Sequence, residues 1–210
     1  MSSSTAARLR AATEDLLLEQ GQAATTLRDI TERAGANVAA VGYHFGSKDA
    51  LVSLVYGDAL REVSEVQRRR LDELPEGAPL EDLVRIWLAP ALDPATEGSR
   101  VARLWGLIQR GMVERSPGLL ENLGSVRDLV DAHLVDRLAA ALPHLGREEL
   151  MLRHNAVLGA VGAFASGSLS PVAGPPCAES VAMLVAWVVG GLQAPAASDT
   201  QPEDRRARPR

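Results

Sequence analysis

The 210-residue chain contains a single cysteine, Cys177, a single lysine, Lys48, and only 3% aromatic residues. One thiol excludes an intramolecular disulfide framework and any multi-cysteine zinc site, and it suits a reducing compartment. The longest apolar stretch, Val181 to Leu192, is 12 residues, well short of the roughly 20 that a membrane-spanning helix needs. Met1 to Thr5 is polar and lacks the apolar core of a signal peptide. The expectation is a soluble, cytoplasmic protein with no membrane partner. Positive charge is also scarce, since 22 Lys and Arg face 27 Asp and Glu for a net −5. Bulk composition therefore carries no nucleic-acid signature, and any anion-binding surface must be local. Catalytic motifs are missing too. The four histidines, His44, His133, His144 and His154, are scattered without an H-E-x-x-H pair, and neither a G-x-S-x-G elbow nor a phosphate-binding glycine loop is present. Cys177 follows Pro175-Pro176 with no histidine near it in sequence, which fits a buried or capping thiol better than a nucleophile. No enzyme, cofactor or metal is expected.

What the chain does have is 46% hydrophobic residues arranged near a 3.6-residue period, so an all-α fold is expected. Leu9, Ala12, Leu16 and Leu17 share one side of a first helix, Thr5 to Gln20, which Gly21 ends. Thr26 with Asp29 forms a capping box for a second helix that stops at Gly35. Asn37 caps a short third helix through about His44, with Val38, Val41 and Phe45 on one side. Ser47 opens a long fourth helix, whose stripe runs from Leu51 through Val66 to about Leu74 before Pro75, Gly77 and Pro79 break it. Further helices are expected at about 79–92, 97–114, 117–142, 147–168 and 178–193, with breaks at Pro94, Ser116-Pro117-Gly118, Pro143 and Pro171–Pro176. The last two carry small residues among aliphatic ones, Gly159, Gly162, Gly190 and Gly191 included. An internal glycine costs a helix about 1 kcal/mol relative to alanine, so these mark close approach of another backbone, either within the chain or in a homodimer through the last two helices. Residues 196–210, with two prolines and no apolar period, are expected to form a disordered tail.

The second and third helices, joined by Gly35-Ala36-Asn37, have the length and tight turn of a helix-turn-helix, whose second helix enters the DNA major groove. The longer pattern is Thr25-Thr26-Leu27-Arg28-Asp29-Ile30, then Ala34-Gly35-Ala36-Asn37-Val38-Ala39-Ala40-Val41, then Tyr43-His44-Phe45-Gly46-Ser47-Lys48-Asp49-Ala50-Leu51. Over about residues 5–55 it closely resembles the DNA-binding domain of the TetR family of transcriptional regulators. The likeness is fainter from about residue 80. Glu149-Leu150 with Arg153, Leu158, Gly159 and Ala160 resembles the last-but-one helix of members that sense fatty-acyl ligands. The resemblance implies an N-terminal helix-turn-helix domain, residues 1–46, and a helical ligand-binding and dimerisation domain, residues 47–195, connected by the fourth helix at about 47–74.

Winding the third helix at 100° per residue groups Val38, Val41 and Phe45, and leaves Ala39, Ala40 and Tyr43 toward the groove with Gly42 at its edge. By resemblance, Thr26, Tyr43, His44 and Lys48 occupy phosphate-contacting positions. Helix N-termini at Thr26 and Ser47 add backbone amides suited to an anion. Such contacts set register rather than sequence preference. Arg28 matches a position that reaches a base in the family, where a guanidinium pairs with guanine O6 and N7; a pair with Asp29 or Glu32 is the plainer role. Gly42 departs from the family pattern, which has a polar or aromatic residue there. Base preference is therefore expected to rest on Arg28, Asn37, Tyr43, thymine-methyl contacts of Ala39 and Ala40, and DNA shape. Residues 1–46 hold four arginines against five carboxylates, a net −1, so binding should be modest and steeply salt-sensitive. Arg8 and Arg10 are either additional phosphate contacts or solvated.

In the remainder, Trp87, Trp105, Met112 and Phe164 are candidates to line a ligand pocket, together with Leu104, Ile108, Leu134 and Leu138, although such residues also make plain core. Polar candidates are Arg103, Gln109, Arg110, His133, Arg153 and Asn155. A mostly apolar lining favours a hydrophobic effector. The resulting expectation is a homodimeric repressor of a pseudo-palindromic double-stranded DNA operator, released by a small molecule. The alternative is an all-helical interaction module that has lost specific DNA binding.

Overall fold

The computed structural model describes residues 4–92, 99–165 and 177–197, with residues 124–132 and 165 described by their backbone alone. Among the described residues there is no strand, and nine helices follow one another: α1 (Thr5–Ala24), α2 (Leu27–Ala34), α3 (Val38–Phe45), α4 (Lys48–Asp72), α5 (Leu80–Leu92), α6 (Arg100–Val113), α7 (Pro117–Ala141), α8 (Arg147–Ala165) and α9 (Ala178–Gln193). The expected helix ends at 97–98 and 166–168, and the tail from 198 onward, lie outside the described residues. The first two residues assigned to that tail are held against the helices instead. Ala196 is buried, and the Ala197 amide donates to the Glu149 carboxylate at 3.1 Å.

Local chemistry sets the short helices. The Thr26 hydroxyl accepts from the Asp29 amide at 3.2 Å while the Asp29 carboxylate accepts from the Thr26 amide at 2.9 Å, completing the capping box. Gly35 closes α2 in the left-handed conformation, φ 56° and ψ 45°, and the Asn37 side chain accepts from the Ala39 amide at 3.0 Å. Gly21 adopts φ 78°, as a helix-ending glycine should, yet helical turns resume beyond it to Ala24, so α1 is kinked rather than finished there. The Glu114 carboxylate lies over Gly21, where a β-carbon would make it move aside, and the positive φ itself favours glycine. Cys177 is the exposed N-cap of α9, and its amide donates to Ser180 Oγ at 2.9 Å.

Two apolar clusters organise the packing. The first gathers Leu9 and Leu17 of α1, Ile30 of α2, Val41 of α3, Leu51 and Tyr56 of α4, Leu107 of α6 and Leu119 of α7. The second gathers Leu71 at the end of α4, Leu83 and Leu88 of α5, Leu138 of α7, Leu150 of α8 and Val185 and Leu192 of α9. Burying each such side chain stabilises the fold by roughly 1.5–3 kcal/mol relative to exposure. Packing therefore has no seam at residue 46, because α4 belongs to both clusters. Close approach fixes its neighbours: a β-carbon on Gly111 of α6 would lie 2.8 Å from the Tyr56 ring, and one on Gly118 of α7 would lie 2.9 Å from Val52.

Candidate functional site

The amino-terminal surface is built around α3. Val41 is buried beneath it and Phe45 is half-buried, whereas Ala39, Gly42, Tyr43 and His44 are exposed. Two positions differ from the winding expectation. Val38 is 51% exposed, because it sits in the first turn where the helix has just left the core, and Ala40 packs partly against the first cluster. The outward face is therefore Val38, Ala39, Gly42 and Tyr43, with Ala40 withdrawn from it. Tyr43 is 86% exposed, and its ring meets the His44 ring edge-on at 4.9 Å.

Two helix N-termini flank this face. Thr26 caps α2, and at α4 the Ser47 hydroxyl accepts from the Ala50 amide at 3.0 Å. Lys48 ties them together, its Nζ donating to the Thr25 carbonyl at 2.9 Å. One ammonium thus sits beside two positive helix ends, an arrangement suited to anions. Thr26 and Asn37 are exposed at their caps. Hydrogen bonding from Thr26 holds the Asp29 carboxyl below the usual carboxylate range. Arg28 lies fully at the surface with its Nε 2.7 Å from Glu32 Oε1, a pair that holds its pKa above the ordinary arginine value. Exposed pairs of this kind are weak, so Arg28 remains available to a competing acceptor. Arg8 and Arg10 are both used inside the molecule, the first donating to the Ala34 carbonyl at 2.9 Å and the second pairing with Asp58 of α4.

Deeper in the chain, α4, α5, α6, α7 and α8 enclose a cavity of about 500 Å³. Of the residues expected from sequence, Trp87, Trp105, Gln109, Met112 and Asn155 line it, as does Ile108. Arg103, His133 and Phe164 do not. Arg103 is drawn to the opposite side of α6, where it pairs with Glu14 and Asp15 of α1. His133 faces Asp72 at 3.0 Å, and Phe164 packs on the second core cluster. Arg110 reaches the α1 carbonyls of Leu18 and Glu19 at 3.0 and 3.3 Å. Arg153 closes the carboxyl end of α9, donating to Gly191, Leu192, Ala194 and Pro195 while paired with Glu149. Leu104, Leu134 and Leu138 are core.

Sequence reasoning missed the α4 wall, Leu60, Val63, Ser64 and Gln67. Treating α4 as a connecting rod hid it, although Ser64 and Gln67 interrupt its apolar stripe at helical spacing. Gln67 is anchored by donating to the Trp87 carbonyl at 2.7 Å. Gly162 of α8 also lines the cavity, with the Gln109 side chain lying where a β-carbon would be. Behind Trp87, the buried His154 ring stacks at 4.6 Å and 6°. Met112, Val113, Asn155 and Gly159 are exposed where the cavity opens.

The model for bacterial regulatory proteins of the tetR family matches residues 9–55, and that for the tetracyclin repressor-like C-terminal domain matches residues 85–194. The chain belongs to the TetR family. This TetR-family protein is 36% identical over 136 residues to the HTH-type transcriptional repressor Rv3405c of Mycobacterium tuberculosis, a match spanning 65% of this chain and 65% of that relative. Its fold is shared with a tetR family transcription regulator from Shewanella sp. PV-4, with TM-score 0.66, 14% identity and coverage of 91% of this chain and 97% of that one. It is also shared with a transcriptional regulator from Saccharomonospora viridis in complex with choline, with TM-score 0.64, 16% identity and coverage of 88% and 93%. The family and these relatives are transcriptional regulators, not enzymes. Among the described residues, no group of three His, Cys, Asp or Glu side chains is placed to hold a metal, and no helix is long and apolar enough to cross a membrane.

Proposed function

We propose that this TetR-family protein is a cytoplasmic, homodimeric repressor that binds a pseudo-palindromic operator and is released by a small apolar effector. The observation that carries the DNA-binding reading is the α3 surface, with Tyr43 fully presented beside two capped helix N-termini bridged by Lys48. Thr26, Tyr43, His44 and Lys48 would contact phosphates; Arg28, Asn37, Ala39 and Tyr43 would face base edges, with Gly42 allowing close approach. Dimerisation through α8 and α9 is supported by Leu152, Met183 and Trp187, which are 68%, 62% and 58% exposed, and by Gly190 and Gly191, which among the described residues have nothing within contact of a β-carbon. Two-fold symmetry would set the recognition helices about 34–36 Å apart, one turn of duplex. The cavity supplies the effector site, and the choline-bound neighbour has the same fold.

α6 supports coupling between the two sites. One of its faces, with Trp105, Ile108, Gln109 and Met112, lines the cavity, and the other holds α1 through Arg100, Arg103 and Arg110. An effector that binds better to the released arrangement shifts the equilibrium by that difference in affinity. Selection of duplexes from fragmented genomic DNA tests the reading, with Tyr43→Ala as control and dimer mass measured in parallel. An enriched pseudo-palindrome lost in the variant is expected. The apolar outward face of α3 and the Arg28–Glu32 pair favour a second reading, an interaction module without specific DNA binding. No enrichment at low salt would select it.

A further inference from the structure

We infer that Gln22, in the last turn of α1, is a positioning residue for DNA binding: its side chain locks that turn to the α6–α7 corner and so fixes the Thr25 carbonyl that aims Lys48 at a phosphate. Such a role rests on the reading of Lys48 as a phosphate contact and places a residue behind it. The start of α7 supplies the first half of the lock. Ser116 stands at the N-cap position but makes no side-chain cap bond to its own helix. Its hydroxyl donates instead to Gln22 Oε1, and the Gly118 amide donates to the same oxygen at 3.2 Å. Gln22 therefore provides the acceptor that an N-cap side chain ordinarily gives its own helix. Ser116 is itself firmly placed. It is 2% exposed, its amide donates to the Gly111 carbonyl at 2.8 Å, and the Arg115 amide donates to the Met112 carbonyl at 3.2 Å, closing α6 around a left-handed Arg115.

The second half runs from Gln22 into the head. Gly21 interrupts α1, so residues 22–24 are not carried by an unbroken helix and depend on what grips them from outside. The Gln22 carbonyl accepts from the Thr25 amide at 3.3 Å, and Thr25 Oγ1 donates to the Gly21 carbonyl at 2.6 Å. Thr25 in turn offers its carbonyl to Lys48 Nζ at 2.9 Å, and the next residue, Thr26, is the N-cap of α2. An ammonium has three donors, so one bond to Thr25 aims the group and leaves two for phosphate oxygens. A lysine held in this way gives up less side-chain freedom on binding than a free one. Without the Gln22 side chain, the last turn of α1 loses its bonds to Ser116 and Gly118, and the carbonyl that aims Lys48 loses its support.

The test is a double-mutant cycle on the full chain, with Gln22→Ala, Lys48→Ala and the pair. Each is titrated at several salt concentrations with the duplex enriched by genomic selection and with a random-sequence duplex of the same length, which carries the cycle alone if selection enriches none. Gln22→Ala should weaken binding about fivefold, less than the loss of Lys48 itself. In the Lys48→Ala background the same change should cost less than about twofold, because the group through which Gln22 acts is gone. Lys48→Ala should lower the salt slope by about one per protomer, and Gln22→Ala should move it in the same direction, which a folded but merely less stable chain would not do. Ser116→Ala removes a donor on α7 without touching the head. It should show a smaller loss with the same dependence on Lys48, and it decides the matter if Gln22→Ala does not fold. Unchanged affinity in Gln22→Ala, or equal losses with and without Lys48, overturns the positioning role, the burial of Thr25 then being enough to hold its carbonyl. If Lys48→Ala weakens binding in that case, the DNA-binding reading stands without Gln22; failure of the unaltered chain to bind either duplex removes both.

Discussion

The amino-terminal helices and the carboxy-terminal ones close their ends by different means. In α2 and α3 the capping groups come from within a few residues: Thr26 and Asp29 for one end, Gly35 for the next, Asn37 for the third. In the carboxy-terminal half, local caps such as Ser180 at the start of α9 are joined by side chains far away in sequence. Arg153 of α8 satisfies the last carbonyls of α9, and Arg137 of α7 donates to Leu71 in the last turn of α4 at 3.0 Å and to Pro75 beyond it at 2.9 Å. Short-range capping sets the turn before α3, with Arg8 at the Ala34 carbonyl and Lys48 at the Thr25 carbonyl adding contacts between the head's helices. Long-range capping makes the body dependent on its tertiary arrangement, and that is the half that encloses the cavity.

Breaking the longest-range device should have the largest effect. Arg153→Ala strands the carbonyls of Gly191, Leu192, Ala194 and Pro195, and should cost about 3 kcal/mol in denaturant unfolding. A loss no greater than that of a single helix cap would collapse the distinction between the halves. Next is Gly111→Ala, which places a β-carbon 2.8 Å from Tyr56 and 2.9 Å from Leu119. It should cost about 1–2 kcal/mol by overpacking, and because Gly111 joins α6 to α4 it should also weaken the mutual effect of effector and operator. That mutual effect must be equal in both directions in a double titration.

In the head, Asn37→Ala removes the acceptor for the Ala39 amide, and should cost about 1 kcal/mol. Melting followed by amide exchange should show the loss confined to α2 and α3; protection lost equally in α8 and α9 would mean that the head is not locally held. The smallest effect concerns acid. Asp29 is held below the usual carboxylate range by Thr26, so its contribution is present at neutral pH and is lost as pH falls through that lowered value, below about 4. Asp29→Asn should reduce the acid sensitivity of the head slightly, seen as a shallower loss of stability with falling pH.

Most of the helical plan was legible in the sequence, as particular residues show. Gly35 and Asn37 announced the turn before α3 because a left-handed glycine and an N-cap act on their immediate neighbours. Gly21 was legible as a positive-φ position but not as a kink, since a left-handed glycine fits both the end of a helix and a break within one. Val38 and Ala40 exchanged expected environments because winding angles say nothing about where a helix leaves the core. Six of the fourteen residues named as cavity candidates line it, Trp87, Trp105, Ile108, Gln109, Met112 and Asn155. Arg103 and His133 miss it because each found a carboxylate on another helix, and spacing within one helix cannot reveal which partner lies opposite.

By itself the sequence determined the all-α class, the breaks between helices and the helix-turn-helix, because periodicity and capping are properties of residues within one or two turns of each other. Only the tertiary structure decided which face of α6 meets α1 and which the cavity, that α4 supplies a cavity wall, and that Arg153 closes α9. Those outcomes depend on which residues distant in sequence come to share the same space and the same hydrogen bonds.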